Sequence, residues 1–262
     1  MKKFKISFAA VVIPLAIFAS YLIYSQILGN PLNFEGGDLS NQPLKNNYLG
    51  TIYRGGPMVI LLISFILLTI TYSIERFITI YQAGGKENNQ RFVRKIQSLV
   101  QSESHSEALQ ACEDQKGSLA NVVKAGLESL EKVKSDSSKN SDQKSLAVQQ
   151  ELEEAAQLEL PSLSNNLIVI STLAQISTLI GLLGTVTGMI TAFSALARVG
   201  APDAVGLANG ISQALVTTAL GISSAALAIV LFNYFTTRID KITYAIDEAN
   251  FSILHTFKGQ NA

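Results

Sequence analysis

Four stretches of the chain, residues 6–28, 55–74, 161–197 and 204–237, contain no Asp, Glu, Lys or Arg. A helix needs about 20 mostly apolar residues, at about 1.5 Å of rise each, to cross hydrocarbon. All four stretches meet that length, and the last two are long enough to project beyond a bilayer. The pattern predicts an all-α, polytopic membrane protein with transmembrane helices at 6–28, 55–80, 161–197 and 206–237. A short polar N-terminus (1–5), a loop at 29–54, a helical block at 81–160, a second loop at 198–205 and a tail at 238–262 fill the remainder. Burial of four such helices inside a soluble protein is the bland alternative. The remaining polar chain is too short to cover them.

Lys and Arg near the span ends set the expected orientation. Lys2, Lys3 and Lys5 precede the first stretch; Arg76, Arg91, Arg94 and Lys95 follow the second; Arg238 and Lys241 follow the fourth. Threading from inside to outside and back places all of these in the cytoplasm, with both termini and the 81–160 block. The extracytoplasmic loops then hold only Lys45, Arg54 and Arg198. Three lysines before an apolar run also resemble a secretory signal. The run is longer than a usual signal core, and bulky Leu22-Ile23-Tyr24 occupies the region where small residues would mark cleavage, so an uncleaved helix is expected.

The 29–54 loop is rich in Asn, Gly and Pro and reads as irregular, water-exposed chain without a site. In the 81–160 block, Phe92, Ile96, Leu99 and Val100 recur at helical spacing, as do Leu119, Val122, Val123, Ala125, Gly126 and Leu130. Residues 135–142 form a polar break. Residues 151–160, acidic and strongly helical, end at Pro161, where a helix continuing into the third span would kink. The acidic run fits a solvated helix face; a vestibule that collects cations is the second reading.

Charged residues are only 15% of the chain, against roughly a quarter in soluble proteins. Apolar residues reach 48%, which excludes intrinsic disorder. Twenty basic and twenty acidic side chains cancel, leaving no surplus for nucleic acid. The single Cys112 excludes an internal disulfide framework or a cysteine zinc cluster and reads as a small core residue. His105 and His255 have no evident metal-binding partners. Neither a nucleophile–base arrangement nor a phosphate loop is present, so no enzyme, metal or cofactor is expected.

Inside the last two spans, polar and small residues replace the missing charges. At 100° per residue, Thr178, Gly181, Gly184, Thr185, Gly188 and Ala192 share one side of the third span. In the fourth, Gly206, Gly210, Gln213, Thr217, Gly221 and Ser224 fall within about 80° of one another, with Thr218 at the edge of that arc. Small residues let membrane helices approach closely, and hydroxyls bond across the contact. Such stripes serve either a tight helix interface or a polar interior shared by several copies of the chain. Gln213 must face protein or water, because an unpartnered amide in lipid is costly.

These segments resemble the MotA/TolQ/ExbB proton-channel family, and within it the ExbB/TolQ branch. The matching stretches are 56–58 through Glu75-Arg76, 119–128, Glu159-Leu160-Pro161, 181–190 and 210–219, so the likeness spans roughly 55–238; the first helix is an addition to the three-span core. The resemblance implies a homopentameric ring around a dimer of single-span ExbD-like subunits whose aspartate titrates. It implies that proton-motive force drives a TonB-like protein in the bacterial inner membrane. By position, Thr185 and Thr218 match the family's pore threonines. Thr217 and Gln213 extend that polar surface, while Gly181, Gly184, Gly188, Gly206, Gly210 and Gly221 are the helix-packing positions. Gln213 stands where many members carry glutamate, so any proton carrier comes from the partner, and sodium is an open alternative. A TolQ-like, gliding or flagellar motor and a non-conducting scaffold are the rival functions.

Overall fold

The computed structural model describes residues 8–135, 140–197 and 203–260. The N-terminal lysines, the centre of the 135–142 break, and Arg198 with most of the 198–205 loop lie outside the described residues. Nine α-helices are found among the described residues: α1 (Phe8–Leu22), α2 (Tyr48–Tyr53), α3 (Met58–Ala83), α4 (Asn89–Gln101), α5 (His105–Gln115), α6 (Gly117–Ser135), α7 (Ser141–Ser164), α8 (Leu167–Leu196) and α9 (Ala204–Gln260). A π-helical turn, Ile23–Leu28, continues α1. The helix ends follow local chemistry. Asn47 and Asn88 accept backbone N–H bonds at the starts of α2 and α4, and Asn140 with Gln143 forms a reciprocal cap on α7.

Among the described residues, four helical runs contain a window apolar and long enough to cross a membrane: Phe8–Leu28, Met58–Ala83, Ser141–Leu196 and Ala204–Gly259. The chain is an all-helical, multi-pass membrane protein. It divides into two compact units, the first comprising the chain up to Ser73 with Val169–Phe232, the second Ile74–Ile168 with the chain from Asn233 onward.

The first unit contains most of the apolar sequence. α1 buries only Ala16 and Ser20 along its length, and Phe8 meets Tyr72 of α3 edge to face at 5.6 Å. The turn before α3 is closed by Gly56 at φ +72, a conformation that a side chain would strain.

The second unit is a bundle of amphipathic helices. Phe92, Val93, Ile96 and Val100 of α4 are buried, with Leu99 at the margin. On α6, Leu119, Val122, Val123, Leu127 and Leu130 are buried, as are Val148 and Leu152 of α7, the helix packed against it. Gln115 is 3% exposed; its Oε1 accepts from Glu87 N at 2.8 Å and its Nε2 donates to Glu87 O at 3.0 Å. Cys112 is buried here, and burial pushes its thiol up to about 12.

The helix expected to run through Pro161 with a kink is divided elsewhere. Pro161 lies in the last turn of α7, and the chain breaks at Asn165-Asn166, where Asn166 takes φ 61. Proline removes one hydrogen bond of the ladder. Asn tolerates the left-handed conformation that ends a helix.

Candidate functional site: the polar contact of α8 and α9

α8 and α9 meet through glycine. A Cβ at Gly181 would lie 3.1 Å from Gly221 Cα; one at Gly188 would lie 2.6 Å from Ala214 N and 2.7 Å from Gly210 O. A Cβ at Gly210 would come to 2.7 Å from Ala192 Cα, and one at Gly221 to 2.8 Å from Ser177 O. The backbones are therefore in direct contact, as small residues at this spacing allow. Ser177 and Ser224, both buried, share a hydroxyl hydrogen bond of 3.0 Å. Gly206 sits at the start of α9, its N–H donating to Asp203 Oδ1 at 2.8 Å.

The four polar candidates divide by environment. Thr217 is fully buried. Its side chain fills the notch left by Gly184, where any Cβ would overlap it. Its hydroxyl donates within its own helix, to Gln213 O at 2.9 Å or Ala214 O at 3.1 Å. Within one chain, Thr217 therefore lines no open surface, although the sequence suggested it as part of a pathway. Gln213 is half-buried, and its Nε2 faces Gly56, 3.4 Å from where a Cβ would stand.

Thr185 and Thr218, like Gln213, are partly exposed. Thr185 Oγ1 donates to Leu182 O at 2.5 Å and Thr218 Oγ1 to Ala214 O at 2.9 Å. Thr218 adjoins Gly181, whose Cβ would meet Thr218 Cα at 3.6 Å. Thr185 borders a groove of about 660 Å³ on the open side of α8, lined otherwise by Val186, Met189, Ile190, Phe193, Ser194 and Ala197. Each hydroxyl spends its proton on its own helix and keeps its lone pairs outward. Such a group accepts from a protonated carboxyl as it stands. To serve an ionised carboxylate it must rotate and release its helix carbonyl.

One arrangement was not anticipated from sequence. Arg76 is 3% exposed, and its Nη1 donates to Ser162 O at 3.3 Å and Leu163 O at 3.2 Å, the last carbonyls of α7. Its Nε donates to Glu75 Oε2 at 2.6 Å, and its Nη2 pairs with Glu75 Oε1. Glu75 also accepts from Asn166 Nδ2 at 3.3 Å and Thr79 Oγ1 at 3.2 Å. The guanidinium thus caps α7 while its own charge is neutralised. Adjacent opposite charges at the end of an apolar run were the available signal. By sequence alone, Arg76 marks orientation and Glu75-Arg76 matches the family pattern.

A cleft of about 1000 Å³ in the second unit is lined by Phe77, Tyr81, Tyr234, Arg238, Lys241 and other residues of α3, α4 and α9. Arg238 stacks over Tyr234 at 5.3 Å. Its charges have both signs, since Glu87, Asp240 and Glu248 also line it.

Glycine-sealed spans carrying hydroxyls, with no group of three His, Cys, Asp or Glu able to hold a metal among the described residues, define a helical membrane subunit equipped for hydrogen bonding. The MotA/TolQ/ExbB proton channel family matches residues 114–248, from the end of α5 through the α8–α9 pair, and the chain belongs to that family, in its ExbB/TolQ branch. An ExbB-like biopolymer transport protein of Synechocystis sp. is 40% identical over 86 residues, 32% of this chain and 41% of that protein. The Tol-Pal system protein TolQ of Haemophilus influenzae is 36% identical over 102 residues, 37% of this chain and 44% of TolQ. TolQ of Pseudomonas aeruginosa is 24% identical over 204 residues, 74% of this chain and 88% of that protein. The chain thus spans less than half the length of the first two relatives.

Proposed function

We propose that this chain is an ExbB-like motor subunit of the bacterial inner membrane, with both termini in the cytoplasm. Five copies form a ring around a dimer of single-span, ExbD-like subunits. Proton-motive force, delivered through a titrating aspartate on those subunits, is passed to a TonB-like protein that energises transport across the outer membrane. One observation carries the reading: Thr185 and Thr218 stay partly exposed with outward lone pairs on two helices otherwise sealed together by glycine.

The mechanism follows from the hydroxyls. A protonated aspartate donates to Thr185 or Thr218 without disturbing either helix. Once ionised, the same carboxylate needs donors, because an unpartnered charge in hydrocarbon costs several kcal/mol. Protonation lowers that cost and lets the partner helix turn to the next copy. The drive is about 2.3 kcal/mol per charge per 100 mV, comparable to a few net hydrogen bonds, so the contacts must be adjustable. Gln213 and Thr217 support the surface from behind, Thr217 by fixing the register of α9 against Gly184.

Thr185→Val and Thr218→Val test the proposal in liposomes holding the chain with its single-span partner. Each should assemble in wild-type stoichiometry and lose about tenfold in proton flux, the effect of one charge-assisted hydrogen bond. Wild-type flux in both removes the hydroxyls from the mechanism. Absence of flux from the wild-type complex favours a non-conducting scaffold, and flux that follows sodium instead identifies the other ion. The length of the alignment to Pseudomonas TolQ favours a second reading, a TolQ-like subunit of a Tol-Pal system. Purification with the native single-span partner, and sequencing of that partner, separates the two.

A further inference from the structure

Residues 29–54, which lie outside the segment matched by the family, bury a polar side chain beside Phe34 and leave several large apolar side chains exposed among polar ones. Asn33, 7% exposed, donates through Nδ2 to Ile27 O and Leu28 O at 2.8 and 2.9 Å, tying down the end of the π-helical turn. Its Oδ1 accepts from Asn47 Nδ2 at 3.0 Å, and its carbonyl accepts from Leu44 N at 2.9 Å. Tyr53 stacks on Tyr24 at 4.6 Å with Phe34 edge-on at 5.5 Å. Arg54 donates to the carbonyls of Ser40 and Asn41. Side-chain amides and Arg54 Nη2 thus find partners within a compact knot, while Arg54 Nε is buried without one. Leu32 (81% exposed), Tyr48 (80%), Leu44 and Leu49 (43% each) stand outside it.

We propose that this knot is an interfacial anchor: Leu32, Leu44, Tyr48 and Leu49 insert at the boundary between the headgroups and acyl chains of the bilayer. Water alone gives no reason for this arrangement, whereas a lipid boundary favours apolar and tyrosine side chains facing outward. The segment connects two candidate membrane spans. The first candidate span ends at Leu28 and the next begins at Met58, and on the first of them Tyr21, Leu22 and Ile27 are exposed. Glu35 and Asp38 balance Lys45 and Arg54 within the segment, so attachment is apolar and indifferent to lipid charge. The proposal rests on the multi-pass architecture and is independent of ion coupling.

The chain contains no tryptophan, so Tyr48→Trp and Leu32→Trp each carry a single tryptophan, excited apart from the tyrosines, in the full-length protein. In phosphatidylcholine vesicles, bromine near the carbonyl end of the acyl chains should lower the emission of both variants about twofold, and bromine near the methyl end should lower it less, as an interfacial depth requires. Leu15→Trp, at a 64%-exposed position within α1, should show the reverse order. Quenching of Trp at 48 and 32 by aqueous iodide alone overturns the anchor in favour of a water-facing loop. Silence toward both bromine and iodide overturns it in favour of a surface covered by protein. If Leu15→Trp also escapes bromine, the membrane assignment fails with it.

Discussion

The two units bury their helices by opposite means. α6 and α7 close on large side chains: Leu119, Leu127, Leu130 and Leu152 are 1% exposed or less, and the gain is apolar area removed from water. α8 and α9 close on Gly181, Gly184, Gly188, Gly210 and Gly221, with Ser177 bonded to Ser224. Between lipid-facing helices there is no water to expel, so backbone contact and hydroxyl bonds replace bulk. The large apolar side chains of α8, such as Leu179, Val186, Ile190 and Phe193, are more than half exposed instead. Side-chain volume thus differs between the two pairs: inward between α6 and α7, outward on α8.

The largest effect is expected where a charge belongs to the packing. Arg76→Ala removes the cap on Ser162 and Leu163 and leaves Glu75 without its cation. Breaking a buried pair costs roughly 3–5 kcal/mol, and the lower end applies because the Glu75 side chain is 27% exposed. The melting temperature of the purified protein should fall accordingly. Glu75→Gln/Arg76→Met, which removes both charges, should recover part of the loss. A single variant as stable as wild type contradicts the clamp.

A direct test of the contrast between units pairs two alanines. At Gly188 a Cβ would meet backbone, Ala214 N at 2.6 Å and Gly210 O at 2.7 Å. At Gly126 it would overlap the Leu152 side chain, Cδ2 most closely and Cγ at 2.8 Å, but no backbone atom. Overpacking costs about 1–3 kcal/mol, and a side chain gives way more readily than backbone, so Gly188→Ala should fall toward the upper end of that range and Gly126→Ala toward the lower. Equal melting temperatures would mean that the α8–α9 contact has room to move apart.

The fold was legible where one pattern decided it. Missing charges located the four apolar stretches, and 3.6-residue spacing identified the buried faces of α4 and α6. The rest depended on distant contacts. Nothing near Thr217 in sequence shows that Gly184 receives its side chain, so its place on the polar arc made it a pathway candidate beside the more exposed Thr218. The 29–54 segment reads as loop because Asn, Gly and Pro mark turns. Its order comes from Asn33 reaching both Leu28 and Asn47, a pairing that local propensity does not encode. Pro161 drew the expected break away from Asn165-Asn166, where the left-handed backbone of Asn166 ends the helix.

The smallest effect sharpens the comparison from the polar unit, where titration can still act. His105 opens α5, and its Nε2 lies 3.0 Å from Lys134 Nζ. An ammonium can only donate, so the imidazole must accept and be neutral, with its proton on Nδ1. Burial first, and then Lys134, hold His105 below its ordinary 6.5, while Glu103 and Glu131 oppose them. A histidine lowered in the folded state binds fewer protons there than when unfolded. Its contribution is therefore complete above about pH 6.5 and is lost as pH falls through the lower, folded value. The partly exposed pair warrants about 0.5 kcal/mol. Melting curves between about pH 7.5 and 5 should show wild type losing that much more than His105→Gln, whose amide can still accept from Lys134 without titrating. Parallel curves would mean that the lysine bond survives protonation, which two cations 3.0 Å apart do not allow.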